Sequence, residues 1–240
     1  MIYSFTSKVR YSEIGQDREM SLYHLLASLQ DCCTFHAEEV GVGLEWMEAH
    51  GLAWVLADLQ MKIHRYPVFG ETITVSTWAH GFRGFIGDRY FTIKAEDGSD
   101  IAAVKSEWIL LSLKNGLPTR VMPDLTDAYG IHSEEQLEGD FGKRKVRLPK
   151  DAAGEKKEPF QVREYHLDTN HHVNNARYLQ LAAGYLPVGA KPYSLRLEFK
   201  QQARLGDEIY PEVYPVEDGY MIALSNAVGE PYFLSELLSD

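Results

Sequence analysis

The feature that most constrains this chain is a duplication inside its 240 residues. Val9-Arg10 leads through Ile14 and Gly15 into Met20–Leu26, and Val162-Arg163 leads through Leu167 and Asp168 into Val173–Leu179. Each copy then carries one strongly alternating run. Ala57, Leu59, Met61 and Ile63 interleave with Asp58, Gln60, Lys62 and His64, while Tyr193, Leu195, Leu197 and Phe199 interleave with Ser194, Arg196, Glu198 and Lys200. Successive strand side chains point to opposite faces, so each run predicts a strand with one covered face. Both runs end in matching punctuation, Tyr66-Pro67-Val68-Phe69-Gly70-Glu71 and Gln202-Ala203-Arg204-Leu205-Gly206-Asp207. Two copies of one supersecondary unit are therefore expected, not one continuous domain.

The remaining periodicities fill in each unit. In the first, Leu22, Leu26, Leu29 and Cys33 form a core-facing helical stripe, and a short helix is expected over Leu44–Ala49. Strands follow over 73–78, 85–95 and 101–113, with a turn at Glu96-Asp97-Gly98. In the second, strands over 209–214 and 220–226 flank a turn at Glu217-Asp218-Gly219, and 232–237 closes the chain. Pro118 to Glu158, rich in proline, glycine and charge, reads as connection. The units are thus placed at 1–150 and 151–240. A helix followed by antiparallel strands, made twice, is an α+β fold whose sheets bury the helices.

The net charge of −11 argues against nonspecific nucleic-acid binding. No run of about 18 apolar residues is present to span a bilayer, and the first residues lack the basic-then-apolar order of a signal peptide. A cytoplasmic location is the expectation. Cys32 and Cys33 are adjacent and read as packed thiols. One basic cluster, Lys143, Arg144, Lys145, Arg147 and Lys150, is either a solvated linker or a dock for an acidic partner.

The chemistry concentrates in Asp168 to Tyr178. In extended backbone, Asp168, Asn170 and His172 would share one side, bringing a carboxylate, an amide and an imidazole together. Asn174 or Asn175 would cap a helix whose buried face is Tyr178, Leu181, Ala182 and Tyr185. The N–H groups of Val173 and Asn174 would then sit at the positive end of that helix, where an oxyanion is stabilised. The first copy has Gly15, Asp17 and Glu19 at the matching places, so one catalytic centre per chain is expected. Taken singly, Asp-x-Asn before a helix is ordinary turn and capping chemistry. His166, His171 and His172 lack the spacing of a metal site, and no cofactor is expected.

The run Asp-x-Asn-x-His-Val-Asn-Asn-x-x-Tyr over 168–178 resembles the active-site segment of the acyl-acyl carrier protein thioesterases of plants and bacteria, in the hotdog superfamily. The resemblance extends over most of the chain. It implies a double hotdog, two tandem units each with a long helix against an antiparallel sheet. The first unit would shape an acyl pocket, with Met20, Leu26, Leu29, Trp54 and Leu56 as candidate walls, and the second would be catalytic. The implied activity is a thioester hydrolase that releases free fatty acids from acyl carrier protein. Asp168 would be nucleophile or base, Asn170 would position it or the water, and His172 would assist at the carbonyl or in proton transfer. The carrier would dock near Lys143, Arg144, Lys145 and Arg147. The family has an acidic residue, often followed by cysteine, where this chain has Gln202 and Ala203. A cysteine–histidine mechanism is excluded at this site, and Gln202 can hold a water but cannot take its proton. Acyl-coenzyme A hydrolysis and noncatalytic acyl binding are the competing readings, with a hotdog dehydratase less well matched. Duplication makes a monomer sufficient, and a homodimer stays open.

Overall fold

The computed structural model describes residues 1–149 and 153–239. They group into two compact units, Met1–Ala57 with Ile63–Asp140, and Asp58–Lys62 with Phe141–Asp240. The boundary expected at 150 falls on residues outside the described part. The compact division comes earlier, at Asp140/Phe141, because the segment after it is bonded to the second unit: Gln60 Nε2 donates to the carbonyl of Phe141 at 2.6 Å and Arg196 to that of Lys143 at 2.9 Å.

In the first unit, strand β1 (Tyr3–Lys8) is followed by helix α1 (Leu22–Glu39), helix α2 (Leu44–Ala49), and strands β2 (Leu52–Ile63), β3 (Thr72–Arg83), β4 (Ile86–Ala95) and β5 (Asp100–Ser112). Helix α3 (Pro123–Tyr129) ends it. The strand order is β1-β3-β4-β5-β2, and the paired registers are antiparallel, from Tyr3↔Thr77 to Lys8↔Thr72 between β1 and β3. Ser21 caps α1, its Oγ accepting from the N–H of His24. The helix buries Leu25, Leu26, Leu29, Cys32 and His36. Its buried stripe is rotated from the expected Leu22/Leu26/Leu29/Cys33 set: Leu22 and Cys33 are only half-buried, and Leu25 and Cys32 take their place. Steps of three and four residues keep both stripes close to one face, and apolar spacing alone does not choose between them. Strand β1 and helix α3 lie in stretches where no periodicity predicted them. Strand β1 alternates half-buried and exposed, weakening the pattern, and α3 starts at Pro123, a residue suited to the first helical turn, inside the stretch read as connection.

In the second unit, short strands β6 (Glu155–Lys156) and β7 (Phe160–Gln161) precede helix α4 (Asn175–Ala183) and strands β8 (Ser194–Phe199), β9 (Glu208–Val216), β10 (Gly219–Ser225) and β11 (Pro231–Leu238). The 58–62 stretch of β2 pairs with β8, and the order continues β8-β11-β10-β9, with β6 and β7 along the outer side of β9. Pro211 and Pro215 are tolerated in β9 because its neighbours on that side are only two residues long. Both units are α+β with antiparallel pairing, as the repeat predicted. No helix among the described residues is long and apolar enough to cross a membrane.

The duplication holds down to individual hydrogen bonds. The N–H of Val9 donates to Glu71 and that of Gly70 to Val9; the N–H of Val162 donates to Asp207 and that of Gly206 to Val162. A turn of 3-10 helix follows in each copy, Tyr11–Glu13 and Glu164–His166. Isolated bridges Ile14↔Met20 and Leu167↔Val173 then close matching loops just ahead of α1 and α4.

Candidate active site

The loop between Leu167 and Val173 is a tight reversal. The N–H of Asp168 donates to the carbonyl of His172 at 2.9 Å, and that of His171 to the carbonyl of Asp168 at 3.0 Å. His171 reaches this geometry with φ of 60°, a left-handed conformation uncommon outside glycine. The carboxylate completes the turn: Asp168 Oδ1 accepts from the N–H of Asn170 at 2.8 Å and from that of His172 at 3.4 Å. The extended geometry expected for 168–172 is therefore not formed, and alternation does not set where these side chains point. The physical reason lies in the repeat, whose bridge between Leu167 and Val173, like that between Ile14 and Met20, folds the chain back on itself, and the Asp168 carboxylate is drawn to the N–H groups that the turn exposes.

The structure nevertheless keeps Asp168 and His172 in one five-residue turn, both half-buried, with Asn170 exposed at its tip. The Nδ1 of His172 is buried without a hydrogen-bond partner among the described residues. Burial lowers the basicity of His172, and the Arg204 guanidinium lowers it further, against the opposing charge of Asp168. Both effects favour the neutral imidazole. Asp168 keeps its second oxygen, Oδ2, outside both turn hydrogen bonds.

Asn174 is the N-cap of α4, its Oδ1 accepting from the N–H of Ala176 at 2.8 Å. The buried face of α4 is Ala176, Tyr178, Leu179 and Ala182; Leu181 and Tyr185, expected on that face, are half-buried, and the helix stops at Ala183 with Gly184 as cap. Both expected oxyanion donors are already used. The N–H of Val173 donates to the carbonyl of Ala203 at 2.9 Å and that of Asn174 to the carbonyl of His166 at 2.9 Å. The N–H of Asn175 starts α4 and has no acceptor within the helix. Gln202 is exposed and makes no hydrogen bond to the buried Nδ1 of His172.

Two residues here take roles that the sequence does not indicate. Tyr178, expected on the buried helix face and the last residue of the run 168–178, also has a polar role: its hydroxyl accepts from the buried N–H of Ala203 at 2.9 Å. Arg204, which acts on His172, had no signal beyond its place in the repeated punctuation. His166 Nδ1 accepts from the N–H of Arg163 at 3.0 Å, a structural use of that ring.

Two of the four described cations of the basic cluster are paired with buried carboxylates. Arg144 Nε lies 3.5 Å from Oδ1 of the buried Asp58, and Lys145 Nζ 3.7 Å from Glu198, also buried. Glu198 also accepts from the N–H of Val146 and pairs with Lys200. Asp58 and Glu198 stand directly opposite each other on β2 and β8, so two like charges share one buried spot, and the 143–146 segment together with Lys200 supplies compensating groups. Lys150 lies outside the described residues. In the first unit, Met20, Leu26, Leu29 and Leu56 are buried and Trp54 half-buried.

Comparison with known proteins places these features in a family. The family model for the acyl-ACP thioesterase N-terminal domain matches residues 2–129, and that for the C-terminal domain matches 149–224. The chain belongs to the acyl-ACP thioesterase family. An acyl-acyl-carrier-protein hydrolase of Cuphea viscosissima is 26% identical over 191 residues, covering 75% of this chain and 46% of that protein. A palmitoyl-acyl carrier protein thioesterase of Arabidopsis thaliana is 23% identical over 218 residues, covering 84% of this chain and 52% of that protein. The chain thus spans about half the length of the curated relatives it matches. Two solved structures share its fold: an acyl-ACP thioesterase from Bacteroides thetaiotaomicron, with TM-score 0.87, 19% identity and coverage of 100% and 98% of the two chains, and a 12:0-ACP thioesterase from Umbellularia californica, with TM-score 0.86, 20% identity and coverage of 100% and 97%.

Proposed function

We propose that this protein hydrolyses acyl thioesters of acyl carrier protein, releasing free fatty acids and so ending chain elongation, and that it does so as a tandem pair of hotdog units in the cytoplasm. The observation that carries the reading is the family match over both halves of the chain, with Asp168, Asn170 and His172 inside the matched C-terminal segment. In this reading Asp168 is nucleophile or general base. As base, its free oxygen takes a proton from water while the water oxygen bonds to the thioester carbonyl carbon. The carbonyl oxygen gains the negative charge, met by the N–H of Asn175 at the start of α4 in place of the occupied N–H groups of Val173 and Asn174. The C–S bond then breaks and the thiolate leaves with a proton returned from the site. Neutral His172 assists at the carbonyl or in that proton transfer, Asn170 orients the water, and Gln202 offers it a hydrogen bond.

The carrier is acidic in this reading and meets Lys143 and Arg147 rather than Arg144 and Lys145, which are held against Asp58 and Glu198. The first unit, 1–150 in the sequence division, would hold the acyl chain, and 151–240 the chemistry.

A noncatalytic acyl-binding role is the second reading, favoured by Gln202 in place of the family's carboxylate and by the two occupied N–H groups. The deciding experiment measures free thiol release from a panel of acyl-carrier-protein and acyl-coenzyme A thioesters by wild type and Asp168→Asn. Turnover by wild type with a fall of roughly a hundredfold or more in the variant supports the hydrolase and the role of Asp168. Binding of acyl chains without thiol release replaces it with the binding reading, and preference for coenzyme A thioesters changes the carrier.

A further inference from the structure

We infer that Tyr178 is a positioning residue for the hydrolysis proposed above: its hydroxyl anchors the main chain of Ala203 and thereby holds the segment bearing Gln202 and Arg204 against the Asp168–His172 turn. The inference rests on that reading of the site.

Residue 203 is fastened on both sides of its backbone. Its N–H donates to the Tyr178 hydroxyl at 2.9 Å, and its carbonyl accepts from the N–H of Val173 at 2.9 Å. Val173 follows His172 in the chain and Arg204 follows Ala203, so this joint ties together the backbones that carry the imidazole and the guanidinium that lowers its basicity. The joint is dry, with Ala203 fully buried and Tyr178 2% exposed. The tyrosine ring has little freedom to swing, being stacked on Phe233 with centroids 5.6 Å apart and meeting Phe199 at 6.4 Å.

The plain alternative is that Tyr178 merely satisfies a buried N–H. The first copy of the repeat shows how this fold closes the same joint when no chemistry sits beside it. There the N–H of Met20 donates to the carbonyl of Pro67 at 2.8 Å, matching Val173 and Ala203. Leu25 stands where the second copy has Tyr178. Proline has no N–H to satisfy, and leucine offers no acceptor. The simpler apolar pair closes the joint in the copy with Gly15, Asp17 and Glu19, whereas the copy with Asp168, Asn170 and His172 carries a buried donor and a hydroxyl aimed at it. A polar pair buried this way fixes distance and direction, which an apolar contact does not.

The test compares wild type, Tyr178→Phe and the double variant Tyr178→Phe/Ala203→Pro, which deletes the orphaned N–H in the manner of Pro67. Three quantities are read: urea midpoint, kcat and KM for acyl carrier protein thioesters, and the NMR titration midpoint of the His172 ring. Tyr178→Phe is expected to lower kcat about tenfold or more, with KM within about twofold, and to displace the His172 midpoint by about half a unit or more. The double variant is expected to regain the urea midpoint while kcat and the His172 midpoint stay displaced. Recovery of kcat together with stability would overturn the inference, since Tyr178 would then only satisfy an N–H. An unchanged His172 midpoint in Tyr178→Phe overturns it too. The NMR midpoint needs no turnover, so absence of thioesterase activity in wild type sinks the proposed function without touching this test.

Discussion

Arg18 and His171 occupy the same place in the two copies and share one backbone conformation, φ 65° and 60°, the positive values found outside glycine among the described residues. Each sits in a loop closed by an isolated bridge, and each donates its N–H three residues back, Arg18 to Gly15 and His171 to Asp168. The reversal is therefore a property of the repeat, and the second copy places Asp168 and His172 on it.

That geometry predicts an unusual tolerance. His171→Gly relieves the left-handed strain and raises the entropy of the unfolded chain, so the two nearly cancel and stability changes by no more than about 1 kcal/mol. His171→Val, β-branched, is expected to cost more, on the order of 2 kcal/mol. Urea midpoints of the two variants check this, and equal values would show that the turn is not strained.

His36 predicts acid sensitivity of the first unit. The ring is fully buried and accepts from Arg89 through Nδ1 at 2.9 Å. Burial, then the charges of Arg89, the terminal amine and His132, push its pKa down to about 3. Its folded pKa is below the unfolded one, so the unfolded chain binds the extra proton as pH falls below about 6.5. Stability is fully present above that pH and is lost by about 1.4 kcal/mol per unit on descending toward 3. His166 and His172, also depressed by burial, add to the same slope. Urea unfolding between pH 7 and 4.5 should show His36→Asn with a slope smaller by up to one proton, and an undiminished slope would remove His36 as the cause.

Gly219, in the expected turn between β9 and β10, predicts a sharp substitution cost. Its φ is 152°, and an added Cβ would lie 2.2 Å from the carbonyl oxygen of Leu237, a backbone atom of the paired strand. Gly219→Ala is expected to cost on the order of 2–4 kcal/mol. Gly206 has φ of 89° with open space around the same point, so Gly206→Ala should cost only about 1 kcal/mol, the left-handed penalty alone. Thermal or urea denaturation of both variants measures the difference.

The basic segment separates stability from docking. Removing Arg144 takes an ion-pair partner from the buried Asp58, and Arg144→Gln should cost about 1–2 kcal/mol, the group itself being one-third exposed. Lys143→Glu and Arg147→Glu should leave stability within about 0.5 kcal/mol and raise KM for acyl carrier protein instead, more at low salt than at high salt. If Arg144→Gln raises KM without loss of stability, the segment is a dock and not a clamp.

Much of this architecture was legible in residue patterns because strand alternation and repeat spacing are local. The runs 57–63 and 193–199 became β2 and β8, and the punctuation at Gly70 and Gly206 marks one hydrogen-bonded corner in both copies. Strand β1 escaped because it alternates without full burial, and α3 because its packing partners are distant in sequence. The candidate site was legible as a set of residue types and misread as a geometry. The bridge that closes Leu167 onto Val173, like Ile14 onto Met20, turns the chain back over these residues, and no periodicity records that.

The sequence by itself determined that two α+β units exist and that one of them carries Asp168, Asn170 and His172. Only the tertiary structure decided which donors remain for chemistry. The N–H groups of Val173 and Asn174 look available in a linear reading, but each has an acceptor, Ala203 or His166, brought to it by the fold. The same holds for Arg144 and Lys145, whose charges are spent on Asp58 and Glu198 across strands that pair far apart in sequence. A buried donor or charge must find a partner, and which partner it finds is set by long-range pairing that local pattern does not encode.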